Sequence, residues 1–469
     1  MGGITRAYIF PHPPILVPEV GKGERGKASA TIQAFERAAE EIGKAAPATI
    51  IVTTPHGPMF QDFIHISLSP QLSGDFGRFG APRVRLEFSN NLPLVNRIIE
   101  LGNAEGIYCG GLEDSLARKY KVSRELDHGA LVPLYFIARK YGGFKLAHIS
   151  IAGMPYTDLY KFGKCIARAV NESGEKAVFA ASGDLSHKLS AEGPYGFDKS
   201  GPEFDRRLVE SLKPAKPEKL LSMDEGFCEK AGECGLRSFI IMFGAMDGYE
   251  IKSEVYSYEG PFGVGYCVAA FEPGEAMEGK GVLEKKEEAE LEKMKNIRAD
   301  EDPYVALARK TLETYVKSKK KIPVSGELPE EMLKERAGVF VSIKKFGQLR
   351  GCIGTISPVA GNIAEEIVNN AISAGTQDPR FDPVEANELE NLVYSVDVLM
   401  KPEPILSIDE LDVVKYGVIV RSGMRSGLLL PNLEGVDTPE QQVAIALQKA
   451  GIRQDDKYRM ERFEVIRHK

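Results

Sequence analysis

The chain of 469 residues has no tryptophan, only six cysteines and only seven histidines. No two cysteines stand in a Cys-x-x-Cys pair, which argues against a structural zinc knuckle or a thiolate-held cluster. Scattered along an acidic chain, the cysteines read as buried thiols. No run reaches the roughly 18 apolar residues needed for a membrane-spanning helix. An excess of basic charge is also missing. With 60 Lys and Arg against 67 Asp and Glu, the formal net charge is -7. That balance excludes a general nucleic-acid binder or a protein of anionic membrane surfaces. The one dense basic run, Lys317 to Lys321, is short and reads as a solvated loop. The N-terminus enters as a strand without the basic-then-apolar layout of a signal peptide, so a cytoplasmic location is expected.

A hydrophobic fraction of 43% over this length supports two sizeable cores. The composition changes between Glu272 and Asp302. There a Pro- and Gly-containing stretch leads into a highly charged helical run from Val282 to Ile297, with Glu290/Lys293 and Glu292/Lys295 as i,i+3 pairs. Asp302-Pro303 then predicts an N-cap followed by proline in the first turn of a new helix. The expected organisation is a domain over 1–272, a charged helical linker over 273–300 and a second domain over 301–469. In the first domain, near-continuous apolar strands are expected at Ile4–Phe10, Ala48–Thr53, Lys145–Ile151, Lys176–Ala181 and Val264–Phe271. Helical periodicity separates them, near Gly26–Ala45, Leu92–Leu101, Tyr156–Asn171, Glu203–Ser211 and Leu236–Met246. This pattern predicts an α/β fold of three layers around a mostly parallel sheet. In such sheets ligands bind beyond the carboxyl ends of the strands.

Three histidines fall just there. His12 follows the first strand in Phe-Pro-His-Pro-Pro. His56 follows the second in Thr-Thr-Pro-His-Gly. His187 follows the Lys176–Ala181 strand in Ser-Gly-Asp-Leu-Ser-His. Parallel strands would bring all three to one rim, and the prolines stiffen the loops that carry His12 and His56. His128, in Asp-His-Gly before a helix, is a fourth candidate. His65 and His148 sit inside strand patterns and read as structural, and His468 reads as part of a frayed tail. Two imidazoles commonly take a carboxylate as third ligand, a set that favours non-haem Fe(II) with open positions. Gly-Glu-Cys-Gly-Leu at 232–236 offers Glu233 as a hard donor and Cys234 as a soft one.

These motifs together resemble the LigB-like family, the catalytic subunits of class III extradiol dioxygenases, and the related Memo family, over most of residues 1–272. Pro-His-Pro-Pro at 11–14 and Pro-His-Gly at 55–57 look like the two histidine-ligand motifs. Ser-Gly-Asp-Leu-Ser-His at 182–187 looks like the segment with the acid/base histidine, and Asp-His-Gly at 127–129 like the histidine that contacts substrate or oxygen. A third-ligand glutamate resembles the dioxygenases and a cysteine resembles Memo; Glu233 is preferred, with Cys234 as the alternative. The resemblance implies Fe(II) on His12, His56 and Glu233, a catechol-like small aromatic substrate, O₂ as co-reactant, and His187 and His128 as catalytic residues. Its alternatives are a Zn²⁺-dependent hydrolase at the same cluster and a Memo-type metal-binding or interaction module that holds copper partly through Cys234.

In the second domain, Leu-Arg-Gly-Cys-Ile-Gly-Thr at 349–355 follows a strand from Gly338 to Ile343 and a turn at Phe346-Gly347. Two readings stand for Cys352: a thiol whose pKa Arg350 lowers, or a buried thiol in a bend that Gly351 and Gly354 permit. His468 is the only histidine of this domain, which argues against a Cys–His dyad. Asp-Pro-Arg-Phe-Asp-Pro at 378–383 reads as a polar turn with an Asp378–Arg380 pair. Thr438-Pro439-Glu440-Gln441 predicts a capping box at the start of the last helix. These motifs, with Gly-Leu-Leu-Leu-Pro at 427–431, resemble the AMMECR family. That implies a smaller α+β domain with a cleft around Arg350, Cys352, Asp378 and Arg380. The absence of tryptophan departs from that family, which often carries one near the last helix. The two resemblances on one chain are similar to the AmmeMemoRadiSam arrangement, which implies a radical SAM protein as partner; related enzymes also imply a homo-oligomer.

Overall fold

The computed structural model describes every residue except Met1, Glu113, Tyr120, Lys121, Glu278, Lys280, Ser325, Gly326, Phe346, Gly347 and Glu434, and describes only the backbone of Asp114, Glu287 and Glu290. The turn expected at Phe346-Gly347 and the Glu290/Lys293 pair therefore fall outside the described residues. The chain divides into two compact units, Met1–Glu287 and Glu288–Lys469.

The first unit is built on six strands: β1 (Gly3–Phe10), β2 (Thr49–Thr54), β3 (Lys145–Ser150), β4 (Lys176–Ser182), β5 (Tyr249–Glu259) and β6 (Tyr266–Ala276). They lie in the order β3-β2-β4-β1-β6-β5. The first four are mutually parallel, and β6 and β5 add an antiparallel hairpin at one edge. Every residue of β2 is buried, as a central parallel strand requires. Successive residues serve opposite faces. Ile9, Ile51 and Phe179 pack into one core beneath α3 (Tyr156–Ser173) and α4 (Leu236–Gly244). Tyr8, Ile50 and Val178 pack into the other beneath α1 (Ser29–Ala45) and α2 (His128–Ala138). Each large side chain so buried stabilises the unit by about 2 kcal/mol. The result is the three-layer α/β fold expected from the strand and helix spacing.

Two details differ from the sequence reading. The patterning does not reveal β5, whose residues alternate between exposed and half-buried at the sheet edge. The last strand also runs beyond Phe271 into the segment read as linker, pairing Pro273 with Ile251 and Ala276 with Tyr249. Proline is tolerated there because β1 pairs with β6 only as far as Phe271.

The second unit is smaller and its sheets are antiparallel. Strands β7 (Gly338–Lys345), β8 (Gln348–Gly354), β9 (Leu392–Leu399) and β14 (Val465–His468) form one sheet in the order β8-β7-β9-β14. Strands β10 (Glu403–Ile405), β11 (Gly417–Ser422), β12 (Arg425–Leu429) and β13 (Arg459–Phe463) form the other, ordered β10-β13-β11-β12. Helices α5 (Pro303–Ser318), α6 (Ile363–Thr376) and α7 (Pro439–Ala450) complete this α+β layout. Asp302 caps α5 and Thr438 caps α7 with Gln441 in a capping box, as their local sequences predict. His468 is not frayed. It closes β14 against Val396, stacks on the Tyr304 ring at 3.8 Å and is bonded through Nδ1 to Asp302 at 2.5 Å.

Candidate metal centre

Strands β1, β2 and β4 are adjacent and parallel, so their carboxyl ends share one rim. Their register aligns Phe10 with Ser182 and Thr53 with Ala181. His12 and His56 stand two residues beyond the ends of β1 and β2, and Asp184 two beyond β4. The tight convergence of the loops has a steric basis. A Cβ on Gly183 would lie 2.1 Å from the Gly235 Cα, so only glycine lets the loops bearing Asp184 and Cys234 touch.

The His12 and His56 Nε2 atoms are 2.8 Å apart. His12 Nδ1 lies 2.9 Å from Ser182 Oγ, whose own hydroxyl donates to the Gly129 carbonyl at 2.5 Å. With its proton committed, Ser182 accepts from Nδ1–H of His12. That tautomer turns the His12 Nε2 lone pair towards His56, the arrangement that an acceptor behind the ring imposes on metal-ligating histidines. His128 stacks on His56 with ring centroids 4.1 Å apart. The ligand atoms of His12, His56 and His128 all lie within 4.8 Å of one another. Burial holds all three imidazoles below the ordinary histidine range, His128 at about 4, so each is neutral and free to donate a lone pair at pH 7.

His187 joins the cluster by way of Cys234 and Asp184. Cys234 Sγ is 3.7 Å from His12 Nε2 and 3.7 Å from His187 Nε2. The Asp184 Oδ2 is 3.8 Å from His12 Nε2 and 3.9 Å from His187 Nε2, while its Oδ1 accepts the His12 backbone N–H at 2.8 Å. Glu233, the preferred third ligand on sequence, is placed differently. Its Oε2 accepts the Leu236 N–H at 2.7 Å at the start of α4. One residue makes the difference: the carboxylate satisfies an orphan donor of the helix, and the neighbouring thiol faces the histidines. Burial raises the Glu233 carboxyl to about 7, Asp184 to about 6 and the Cys234 thiol well above its usual value.

Beyond His56 and His128 a cleft of about 560 Å³ opens, lined by Pro58, Asp75, Arg78, Phe79 and Leu131. The Phe79 ring meets His128 edge-on at 5.4 Å. Asp127 anchors this side: it caps α2 through Ala130 N–H, accepts from Thr54 Oγ1 at 2.6 Å and pairs with His148 Nε2 at 3.2 Å. His148 thus has the structural role its strand position predicts. His65 is likewise buried in a short strand, Ile64–His65. Asp184, Ser182, Arg78 and Phe79 were not singled out by sequence reasoning. The first two lie in the Ser-Gly-Asp-Leu-Ser-His motif, whose final histidine drew the attention. Arg78 and Phe79 carry no local signal.

The donor set comprises imidazoles, one carboxylate and one thiol, which suits a borderline metal such as iron, zinc or copper. Residues 6–269 match the family model described as the catalytic LigB subunit of aromatic ring-opening dioxygenase. The chain belongs to the LigB family. Residues 305–468 match the AMMECR1 model, so the LigB domain is followed by an AMMECR1 domain. A Clostridium acetobutylicum protein is 47% identical over 463 residues, covering 98% of both chains. A Thermotoga maritima protein is 53% identical over 171 residues, 36% of this chain and 98% of its own. The name of neither relative states an activity. Among solved structures, an uncharacterized Pyrococcus horikoshii protein is 34% identical, covering 35% of this chain and 88% of its own with a TM-score of 0.33. No helix among the described residues is long and apolar enough to cross a membrane.

In the AMMECR1 domain, Asp378 and Arg380 form the pair the sequence predicts, at 2.7 Å. Arg350 does not serve the Cys352 thiol as expected. Its guanidinium grips Glu388 at 2.8 and 3.0 Å and donates to the Asp382 carbonyl, so it braces the loop.

Proposed function

We propose that the LigB domain is an Fe(II)-dependent oxygenase of the extradiol type, acting on a small aromatic diol with O₂ as co-reactant. The observation that carries this reading is the His12–His56 pair at 2.8 Å with the His12 tautomer set by Ser182. Two neutral lone pairs so close call for a shared proton or a cation between them. His12 and His56 would hold the metal, with Cys234 or the Asp184 carboxylate completing it in place of Glu233. Bound iron supplies Lewis acidity and redox capacity. The chain's own residues do the rest. His187, kept neutral by burial, takes a proton from a substrate hydroxyl and returns it later, with Asp184 beside it to stabilise the imidazolium. His128, deprotonated down to about pH 4, hydrogen-bonds substrate or oxygen. Arg78 offers a cation to an anionic substituent, and Phe79 a flat apolar wall.

The test is metal analysis of protein purified without oxygen, then O₂ uptake with a panel of catechols. Iron retention and uptake that falls by about 100-fold or more in His187→Ala support the reading. An iron-loaded protein that consumes no oxygen with any diol refutes it. A Memo-type metal-binding module is the second reading, favoured by the thiol of Cys234 standing between His12 and His187. It requires copper retention that depends on Cys234 and no turnover.

A further inference from the structure

The tie between His148 and Asp127 uses only one nitrogen of the imidazole. His148 is buried on β3, and its Nε2 lies 3.2 Å from the Asp127 carboxylate. Burial alone would raise that carboxyl, but the hydrogen bonds from His148 and Thr54 hold it below the usual carboxylate range. An ionised carboxylate can only accept, so His148 carries its proton on Nε2 and presents a lone pair at Nδ1. Ser67 Oγ stands 2.9 Å from Nδ1 and is therefore the donor. Hydroxyl, imidazole and carboxylate thus stand in the order of a serine nucleophile, its base and the group that orients the base. Nδ1 serves here as the base and Nε2 as the anchor; either nitrogen can take a proton once the other is held.

The backbone fixes this geometry. Ile66 bridges Ile149 in antiparallel register, and the Ser67 N–H donates to the His148 carbonyl at 3.1 Å, which sets Ser67 beside His148 at the edge of β3. The buried Asn90 amide donates to the Ser67 and Ser69 carbonyls at 2.8 and 3.0 Å. Ser67 is half-buried and lines a pocket of about 310 Å³ whose walls include Leu68, Leu112, Ala117 and Val122. His65 lines the same pocket. It is 8% exposed, and its Nδ1 has no hydrogen-bond partner among the described residues. A buried orphan nitrogen beside a nucleophile is satisfied when a ligand oxygen supplies the missing partner.

We propose that Ser67, His148 and Asp127 form a catalytic site of their own, which hydrolyses esters of small apolar acyl groups and needs no metal. Ser67 Oγ attacks the acyl carbon; as the O–C bond forms, the carbonyl electron pair moves to oxygen and the Ser67 proton passes to His148 Nδ1. The pair then returns, the ester C–O bond breaks, and the alcohol oxygen leaves with that bond's electrons and the proton held by His148. Water attacks the acyl-Ser67 in the same way, giving a proton to His148. The bond to Ser67 Oγ breaks, that oxygen takes the proton back, and the carboxylic acid departs. Asp127 orients the imidazole and stabilises the imidazolium in both halves, and His65 Nδ1–H donates to the acyl oxygen. The pocket lies near the lower end of ligand-site volumes, which limits the acyl group to a few carbons.

The experiment treats the full-length protein, as purified and after chelation, with a fluorophosphonate, locates the label by peptide mass spectrometry, and follows hydrolysis of p-nitrophenyl acetate, butyrate and laurate. A label on Ser67 of the folded protein, unchanged by the chelator, is expected, with turnover that favours acetate and butyrate over laurate. Ser67→Ala, with an unaltered thermal melt, and His148→Gln should each lower turnover by about 100-fold or more. A label that avoids Ser67 or appears only on unfolding, turnover lost with the metal, turnover that survives Ser67→Ala, or a His148→Gln protein labelled at the wild-type rate would overturn the proposal.

Discussion

At the residue scale the candidate metal centre rests on a hydroxyl behind His12 rather than in the cluster itself. Ser182 fixes the His12 tautomer by giving its own proton to Gly129. Ser182→Ala should therefore weaken metal binding by about 10- to 100-fold while leaving the fold intact, as read by competition with a chelator and a thermal melt. Unchanged affinity would mean that the tautomer is set otherwise. His65 makes a second prediction. It is 8% exposed, its Nδ1 has no hydrogen-bond partner, and burial holds its pKa at about 4. The unfolded chain binds a proton at the ordinary value of 6.5, above the folded value. Its contribution is thus complete above pH 6.5 and is lost as pH falls to about 4, by roughly 3 kcal/mol at most. Denaturant titrations of wild type and His65→Gln across this window should diverge, with the variant flatter. The seven histidines of the sequence already point to the cluster, because imidazoles past strand ends in stiff loops are uncommon. Which of Glu233 and Cys234 faces them was not legible, because adjacent residues turn to different sides with one step of backbone rotation.

At the element scale, the loops after β4 and before α4 are held in contact by paired glycines. Besides the Gly183–Gly235 approach, a Cβ on Gly235 would meet the Phe239 ring at 2.4 Å. The two loops then lock, with Asp184 N–H donating to Cys234 Sγ at 3.3 Å. Gly183→Ala should cost about 2–3 kcal/mol, because backbone rather than a flexible side chain must move, and should release the metal. A variant that keeps both its melting temperature and its metal would show that the loops are not coupled. Element ends set by a few adjacent residues, such as the Asp302 and Thr438 caps, are legible in sequence because their hydrogen bonds are local. β5 is not, because an edge strand with one half-exposed face carries little hydrophobic signal.

At the scale of the whole molecule, each unit has its own hydrophobic cores, one pair flanking the parallel sheet and the others serving the two antiparallel sheets. The boundary falls in a charged helix, Val282–Ala299. Limited proteolysis should cut first within this helix, and the two fragments should each melt cooperatively. A single melt, with both fragments unfolded after the cut, would show that the units stabilise each other.

The order of strands and helices, the parallel core and the rim position of His12, His56 and His187 follow from local periodicity, since burial on both faces leaves near-continuous apolar runs wherever they occur in the chain. Which other side chains gather round His12 was decided only in three dimensions. Asp184, Ser182 and Cys234 come together through contacts between segments about 50 residues apart, such as Cys234 with Asp184. Those contacts depend on two glycines whose close approach no local pattern announces.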